Sequence, residues 1–238
     1  MPWFHGIAER NHIIQNPTTE EKIRLLGERL HLGPDSTVLD VASGRGGPAV
    51  ILARDFGCRL TCVEWFDEFV AVARQRATVA GVDHLIEVVQ ADASHVDLGV
   101  DRFDAALCLG ASFVYGGLVP TLARFEPAVH VGGHVAVGEV FWHAPPPAGV
   151  PDYGGRTFEQ TFTTLDRTFP IVTVIGSSDD DWDRYATLRL LTVEDWLAEF
   201  PDDPAAVEIR AEHEASKDFY GKTRGRLGWA IFAGRKTQ

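Results

Sequence analysis

The chain has 238 residues, with 22 lysines and arginines against 34 aspartates and glutamates, for a formal charge of -12. An acidic surface of that size disfavours nucleic acid and anionic membrane as partners, because both require basic patches. The length suffices for one large α/β unit with a substantial core, and no apolar run reaches the roughly 18 residues of a membrane span. Three cysteines, Cys58, Cys62 and Cys108, make an odd count with no disulfide or zinc spacing, so they are expected as core thiols and no metal is expected. The start, Met1-Pro2-Trp3-Phe4-His5, has neither a basic region nor an apolar signal core, and a cytoplasmic location is expected.

Residues 1–36 precede the first strand. Thr18-Thr19-Glu20-Glu21 predicts a helix with Thr18 as cap and Glu21 three residues on. Its apolar stripe is Ile23, Leu25, Leu26, Leu30 and Leu32, and Gly33-Pro34 stops it. The arm ahead of it carries Trp3, Phe4, His5 and His12, which would either close over a pocket or anchor the arm. Residues 37–41 read as a buried strand ending in Asp40-Val41. Ala42-Ser43-Gly44-Arg45-Gly46-Gly47-Pro48 then forms a glycine turn into a helix that runs to Phe56. Ligands of open α/β sheets bind at such an edge, against the free N–H groups of the helix start.

Gly44-x-Gly46-x-x-Ala49 fits a dinucleotide-binding pattern, a weak signal alone. Asp40 weighs against it, because a carboxylate four residues ahead of the first glycine would repel a pyrophosphate and attract an ammonium or a sulfonium. The segment 38–46 resembles the glycine-rich motif of class I S-adenosylmethionine-dependent methyltransferases, an acidic residue and small residues followed by Gly-x-Gly, with Ser43 where many relatives have cysteine.

A second strand at 58–63 ends in Glu64, placed to accept bonds from both hydroxyls of a ribose, and Trp65 beside it could pack on an adenine face. A helix follows at 67–80, then a third strand at 86–90 with Ala91-Asp92-Ala93 at its end. The resemblance implies that Asp92 bonds the adenine amino group and that the Ala93 backbone N–H bonds the ring. Residues 103–109 form a fourth, nearly all-apolar strand. Relatives place the turn after it, here Gly110-Ala111-Ser112, under the sulfonium. No Asn-Pro-Pro-Tyr signature is present, which argues against methylation of bases or glutamine amides.

A helix at 119–126, a Gly132-Gly133 turn and a fifth strand at 134–142 come next. Glu139 shares a strand face with Val135, Val137 and Phe141, and a carboxylate there needs a partner. The proline-rich loop 144–151 is long enough to carry specificity. A helix at 157–168, a strand at 170–176, a short helix capped by Ser177-Ser178-Asp179, another from Thr192, a longer one from Pro204 to Arg224 and a last strand at 228–234 complete the chain.

The resemblance implies an α/β, doubly wound, mostly parallel seven-stranded sheet with an antiparallel last strand and helices on both faces. A single methyltransferase domain is expected: an arm and helix over 1–36, a cofactor core over 37–142, substrate-side insertions over 143–226 and the last strand at 227–236. The implied cofactor is S-adenosyl-L-methionine, contacted by Asp40, Ala42, Gly44, Gly46, Glu64, Trp65, Asp92, Ala93, Leu109 and Gly110, with S-adenosyl-L-homocysteine as by-product. The acceptor would be a small molecule. His5, His12, Glu139 and His143 are the candidate bases, and Phe4, Phe113, Tyr115, Trp142, Tyr153 and Trp182 the candidate acceptor contacts. Two other readings stand beside this one: an adenosylmethionine-binding protein that transfers no methyl group, and a nicotinamide-dependent oxidoreductase.

Overall fold

A computed structural model describes residues 2–152 and 155–238; the side chains of Pro2 and Trp3 fall outside the description, as does Tyr153, one of the expected acceptor contacts. Seven strands form one sheet: β1 (Thr37–Val41), β2 (Arg59–Glu64), β3 (Ile86–Gln90), β4 (Phe103–Leu109), β5 (Val129–Trp142), β6 (Ile171–Gly176) and β7 (Leu227–Arg235). Their order is β3-β2-β1-β4-β5-β7-β6, and only β7 runs against the rest. The order reverses direction between β1 and β4. Such a switch point opens a crevice at the carboxyl ends of the two strands.

Among the described residues eight α-helices accompany the sheet: α1 (Pro2–Ala8), α2 (Glu20–Arg29), α3 (Gly47–Phe56), α4 (Asp67–Val79), α5 (Leu118–Ala128), α6 (Phe158–Asp166), α7 (Asp179–Glu199) and α8 (Ala206–Thr223). The period-two alternation of the strands sorts them into layers. Val38, Leu60, Cys62 and Leu107 pack under Ile23 and Leu26 of α2, Ile51 and Leu52 of α3 and Ala77 of α4. Leu39, Val41, Cys108, Val137 and Phe232 pack on the other side under Leu122 and Phe125 of α5 and Leu165 of α6. A third cluster joins Phe4 and Ala8 of α1 to Val193 and Leu197 of α7 and Ala206 and Ile209 of α8. All three cysteines are buried and free.

Three elements differ from the sequence reading. The cap of α2 is Thr19, whose hydroxyl accepts from Lys22 N at 3.2 Å, one residue beyond the expected Thr18. The two helices expected around 179–185 and from Thr192 are one helix of 21 residues. Neither glycine nor proline interrupts the span, and Thr192 is fully buried inside it, accepting Asn11 Nδ2 at 3.2 Å rather than capping a new start. The Gly132-Gly133 pair lies within β5, which begins at Val129 and shifts register between Phe103 and Ala105. The expected Ser178 start of α7 is present as a capping box with Asp181, whose buried carboxylate also pairs with Lys22 of α2.

Candidate active site

The glycine turn is held from beneath by Glu64. This residue ends β2, is 5 % exposed and accepts from three backbone N–H groups: Gly44 at 2.8 Å through Oε2, and Trp65 and Phe66 at 2.9 and 3.0 Å through Oε1. Ala42 opens the turn at φ 52°, and Gly44 and Gly46 continue it at 56° and 74°. An alanine in the left-handed region carries a cost of about 1–2 kcal/mol that glycine escapes. Ala42→Gly is therefore expected to leave the fold intact and raise the melting temperature by roughly 1–3 °C once the extra unfolded-state freedom of glycine is subtracted; a fall seen in a thermal scan would contradict the strain.

The arm lies directly on this turn. Gln15 Oε1 accepts Arg45 N at 2.6 Å, and Asn16 Nδ2 donates to the Leu109 carbonyl at 2.9 Å. Arg76 of α4 donates to the carbonyls of His12 at 2.6 Å and Ile13 at 3.0 Å, pinning the segment from below.

Between arm, turn and sheet edge is a cavity of about 410 Å³. Asp40, Ala42, Gly44, Glu64, Trp65, Leu109 and Gly110 line it, so seven of the ten expected cofactor contacts come together, along with Phe113. Gly46, Asp92 and Ala93 do not line it. Asp92 is exposed at the end of β3, with its carboxylate taken by Ser94 N at 2.9 Å, Ser94 Oγ at 2.7 Å and His95 Nδ1 at 3.2 Å; these bonds, the hydroxyl's foremost, pull its carboxyl below the usual range. The sequence reading missed Gln15, Asn16 and Glu9, which also line the cavity; only tertiary folding of the arm brings them there.

The electrostatics choose between ligand classes. Asp40 is 2 % exposed, and no described residue donates to its Oδ2. Burial first, and the Glu64 charge second, push its carboxyl up to about 7. Arg45, the cation within the turn, is folded away onto Glu68 at 3.1 Å and lies over the Phe69 ring. A turn backed by two acidic side chains, with its own guanidinium withdrawn, repels a diphosphate and suits a cationic nucleoside. Asp40 and Glu64 on the wall of this cavity thus fit S-adenosylmethionine.

The family model for a methyltransferase domain matches residues 38–133. A methyltransferase of Geobacter sulfurreducens that uses S-adenosylmethionine, solved with S-adenosyl-L-homocysteine, superposes with a TM-score of 0.90 at 32 % identity, over 98 % of this chain and 97 % of that one. The chain belongs to the S-adenosylmethionine-dependent methyltransferases. YjhP of Escherichia coli, an uncharacterized protein, is 31 % identical over 98 % of both chains. A sarcosine/dimethylglycine N-methyltransferase of Halorhodospira halochloris is 41 % identical over 83 residues, which is 35 % of this chain and 28 % of that protein.

This methyltransferase has a second cavity, of about 470 Å³, between α1, α7, α8 and residues 149–151. Phe4 and Trp182 line it, as do Leu190, Phe219 and Leu227. His5, Tyr185 and Arg189 line both cavities, so the two meet there. Tyr185 donates to Glu9 Oε1 at 3.0 Å, and Arg189 Nε pairs with the same oxygen at 3.2 Å. Burial first, and the Glu9 charge second, push the Tyr185 phenol up, so it remains a donor. Burial first, then the Arg189 charge, lower the His5 imidazole, which is therefore neutral at neutral pH and free to accept a proton.

The other expected bases stand apart from both cavities. His12 is 3 % exposed; its Nε2 donates to the Tyr185 carbonyl at 3.1 Å and its Nδ1 lies 3.4 Å from Glu9 Oε2. Glu139 sits on the face covered by α5 and α6, where burial raises its carboxyl against the pull of Ser112 and Arg156. His143 is exposed, with its ring edge-on to Phe141. Among the expected acceptor contacts, Tyr115 packs on Phe125 beneath the Arg124 guanidinium. Trp142 is buried and donates to the Asp152 carbonyl at 2.7 Å. Among the described residues no group of three or more histidine, cysteine or acidic side chains could hold a metal, and no helix is long and apolar enough to cross a membrane.

Proposed function

We propose that this methyltransferase moves the methyl group of S-adenosylmethionine in line to a small molecule held between α1, α7 and α8. The observation that carries the reading is the junction of the two cavities at His5, Tyr185 and Arg189. A donor in one cavity and an acceptor in the other would meet across those three side chains. The second cavity, about 470 Å³, falls within the ~300–1,000 Å³ typical of small-molecule sites. Its walls of Phe4, Trp182, Leu190 and Phe219 suit an acceptor with a flat or apolar body.

When bound, the cofactor supplies a methyl group on a good leaving group, so positioning is most of what the protein must add. Arg189 and Tyr185, cross-linked through Glu9, make a firm wall at the junction. His5 is the base the geometry favours for an oxygen or nitrogen acceptor: it reaches both cavities and is held neutral. The acceptor class agrees with an acidic surface, which disfavours nucleic acid, and with the Halorhodospira enzyme, whose name describes methylation of small amines. Free buried thiols suit a reducing compartment, and we place the reaction in the cytoplasm.

Labelled S-adenosylmethionine incubated with the protein and a metabolite extract should place label in the low-mass fraction. Label confined to protein or nucleic acid would overturn the acceptor class. Ala186→Trp, which fills the second cavity, should lower kcat/KM at least ~100-fold while the Kd for S-adenosylhomocysteine stays within about twofold. Equal losses in both would place the acceptor elsewhere.

A further inference from the structure

Asp40 is a buried acid with no counter-ion among the described residues. In the sheet it lies opposite Cys62 of β2 and Leu107 of β4. The thiols of Cys62 and Cys108 are both raised, by burial first and in part by the Asp40 charge, so neither compensates it. Glu64, at the end of β2, is a second carboxylate whose oxygens are already taken by three backbone N–H groups. The Ser43 hydroxyl in the turn acts on the Cys62 thiol, and Arg45 is folded onto Glu68. The remaining ionisable groups of the cavity are Glu9, Arg189, Tyr185 and His5, and Arg189 and Tyr185 are tied to Glu9. Among the described residues no cation pairs with Asp40 and none donates to its Oδ2, yet it stands on the wall of the cavity that receives a cationic ligand.

We propose that Asp40 makes the protein discriminate S-adenosylmethionine from S-adenosylhomocysteine, by losing its proton when the cavity holds a sulfonium and keeping it when the sulfur is neutral. The two ligands share adenosine, ammonium and carboxylate, and differ in the methyl group and the charge on sulfur. A positive charge in the cavity favours the ionised carboxyl. The complex with the methyl donor then binds fewer protons than the free protein, so donor binding strengthens as pH rises. That gain levels off above about 7, where Asp40 is ionised in the free protein as well. The by-product lacks the sulfonium and responds less. Once the methyl group has left, Asp40 takes a proton from solvent below about pH 7, and the preference for fresh donor over spent cofactor widens as pH rises to that point. This inference rests on the cofactor alone and not on the acceptor proposed above.

Calorimetric Kd values for both ligands at pH 6, 7 and 8 test it. For wild-type protein the Kd of S-adenosylmethionine should fall up to roughly tenfold from pH 6 to 8, and that of S-adenosylhomocysteine less than about threefold. The heat of donor binding at pH 7 should depend on the ionisation enthalpy of the buffer, reporting proton release. In Asp40→Asn the two ligands should show the same pH response; any contribution from His5 or Glu9 persists in that variant and is subtracted by it. Matching responses of the two ligands in wild-type protein would overturn the proposal, as would a difference that survives in Asp40→Asn. Binding of neither ligand would overturn the cofactor assignment itself, whereas binding of both with a constant ratio would overturn only the role of Asp40.

Discussion

Glu64→Gln should weaken S-adenosylmethionine binding at least ~100-fold and lower the melting temperature by roughly 4–10 °C, for a loss of about 2–3 kcal/mol. The carboxylate of Glu64 is wired through both oxygens: Oε2 to Gly44 N, and Oε1 to Trp65 N and Phe66 N. Glutamine keeps its shape but offers one oxygen. Its NH₂ would face at least one of these N–H groups, leaving donor against donor in a site that is 5 % exposed. The Gly44 bond fixes the glycine turn, so its loss disturbs the floor of the cavity as well as the ribose contact proposed for Glu64. Calorimetry and a thermal scan read the two effects separately. Wild-type affinity in Glu64→Gln would remove Glu64 from the cofactor site.

Gly47→Ala should open the site from the other side. A Cβ on Gly47 would collide with the Ile13 carbonyl oxygen, a backbone atom that no rotamer change can move. Gly47 is the first residue of α3, and alanine is otherwise welcome in a helix. The clash is therefore the whole effect. Ile13 is in turn fixed by Arg76, and its neighbours His12, Gln15 and Asn16 by Arg76, Arg45 N and the Leu109 carbonyl. Displacing the segment breaks up to four hydrogen bonds, about 1 kcal/mol each, for an expected loss of ~2–4 kcal/mol. Limited proteolysis should then cut within residues 9–17, and cofactor Kd should rise by at least tenfold. Gly33→Ala is the control, because nothing lies within 4 Å of its added Cβ. Equal behaviour of the two variants would show that the arm does not close the cavity.

The parts of this site that could be read from sequence are those encoded locally. A strand of five residues, a turn with glycines at fixed places and a carboxylate at the next strand's end are short-range signals, and Asp40, Gly44 and Glu64 all line the cavity. Asp92 stands after β3 as expected, with Ser94 and His95 beside it donating to its carboxylate at the surface. Of the second cavity only Phe4 and Trp182 are named from the sequence, because its walls come from residues over 200 apart in the chain, Phe4 and Phe219 among them. The break expected near Thr192 came from reading a buried threonine as a cap. Only the partner Asn11, 181 residues away, reveals that its hydroxyl is otherwise engaged. Histidines carry the least local information of all: His5, His12 and His143 look alike in sequence, and tertiary folding alone brings His5 to the junction.

The central claim is that the crevice between β1 and β4 accepts a cationic nucleoside and rejects a diphosphate. One calorimetric titration tests it, with S-adenosylmethionine and NAD offered in turn to the wild-type protein. S-Adenosylmethionine should bind one to one, and NAD should give no heat of binding at the same concentrations. Tighter binding of NAD, or no response to S-adenosylmethionine, would contradict the account.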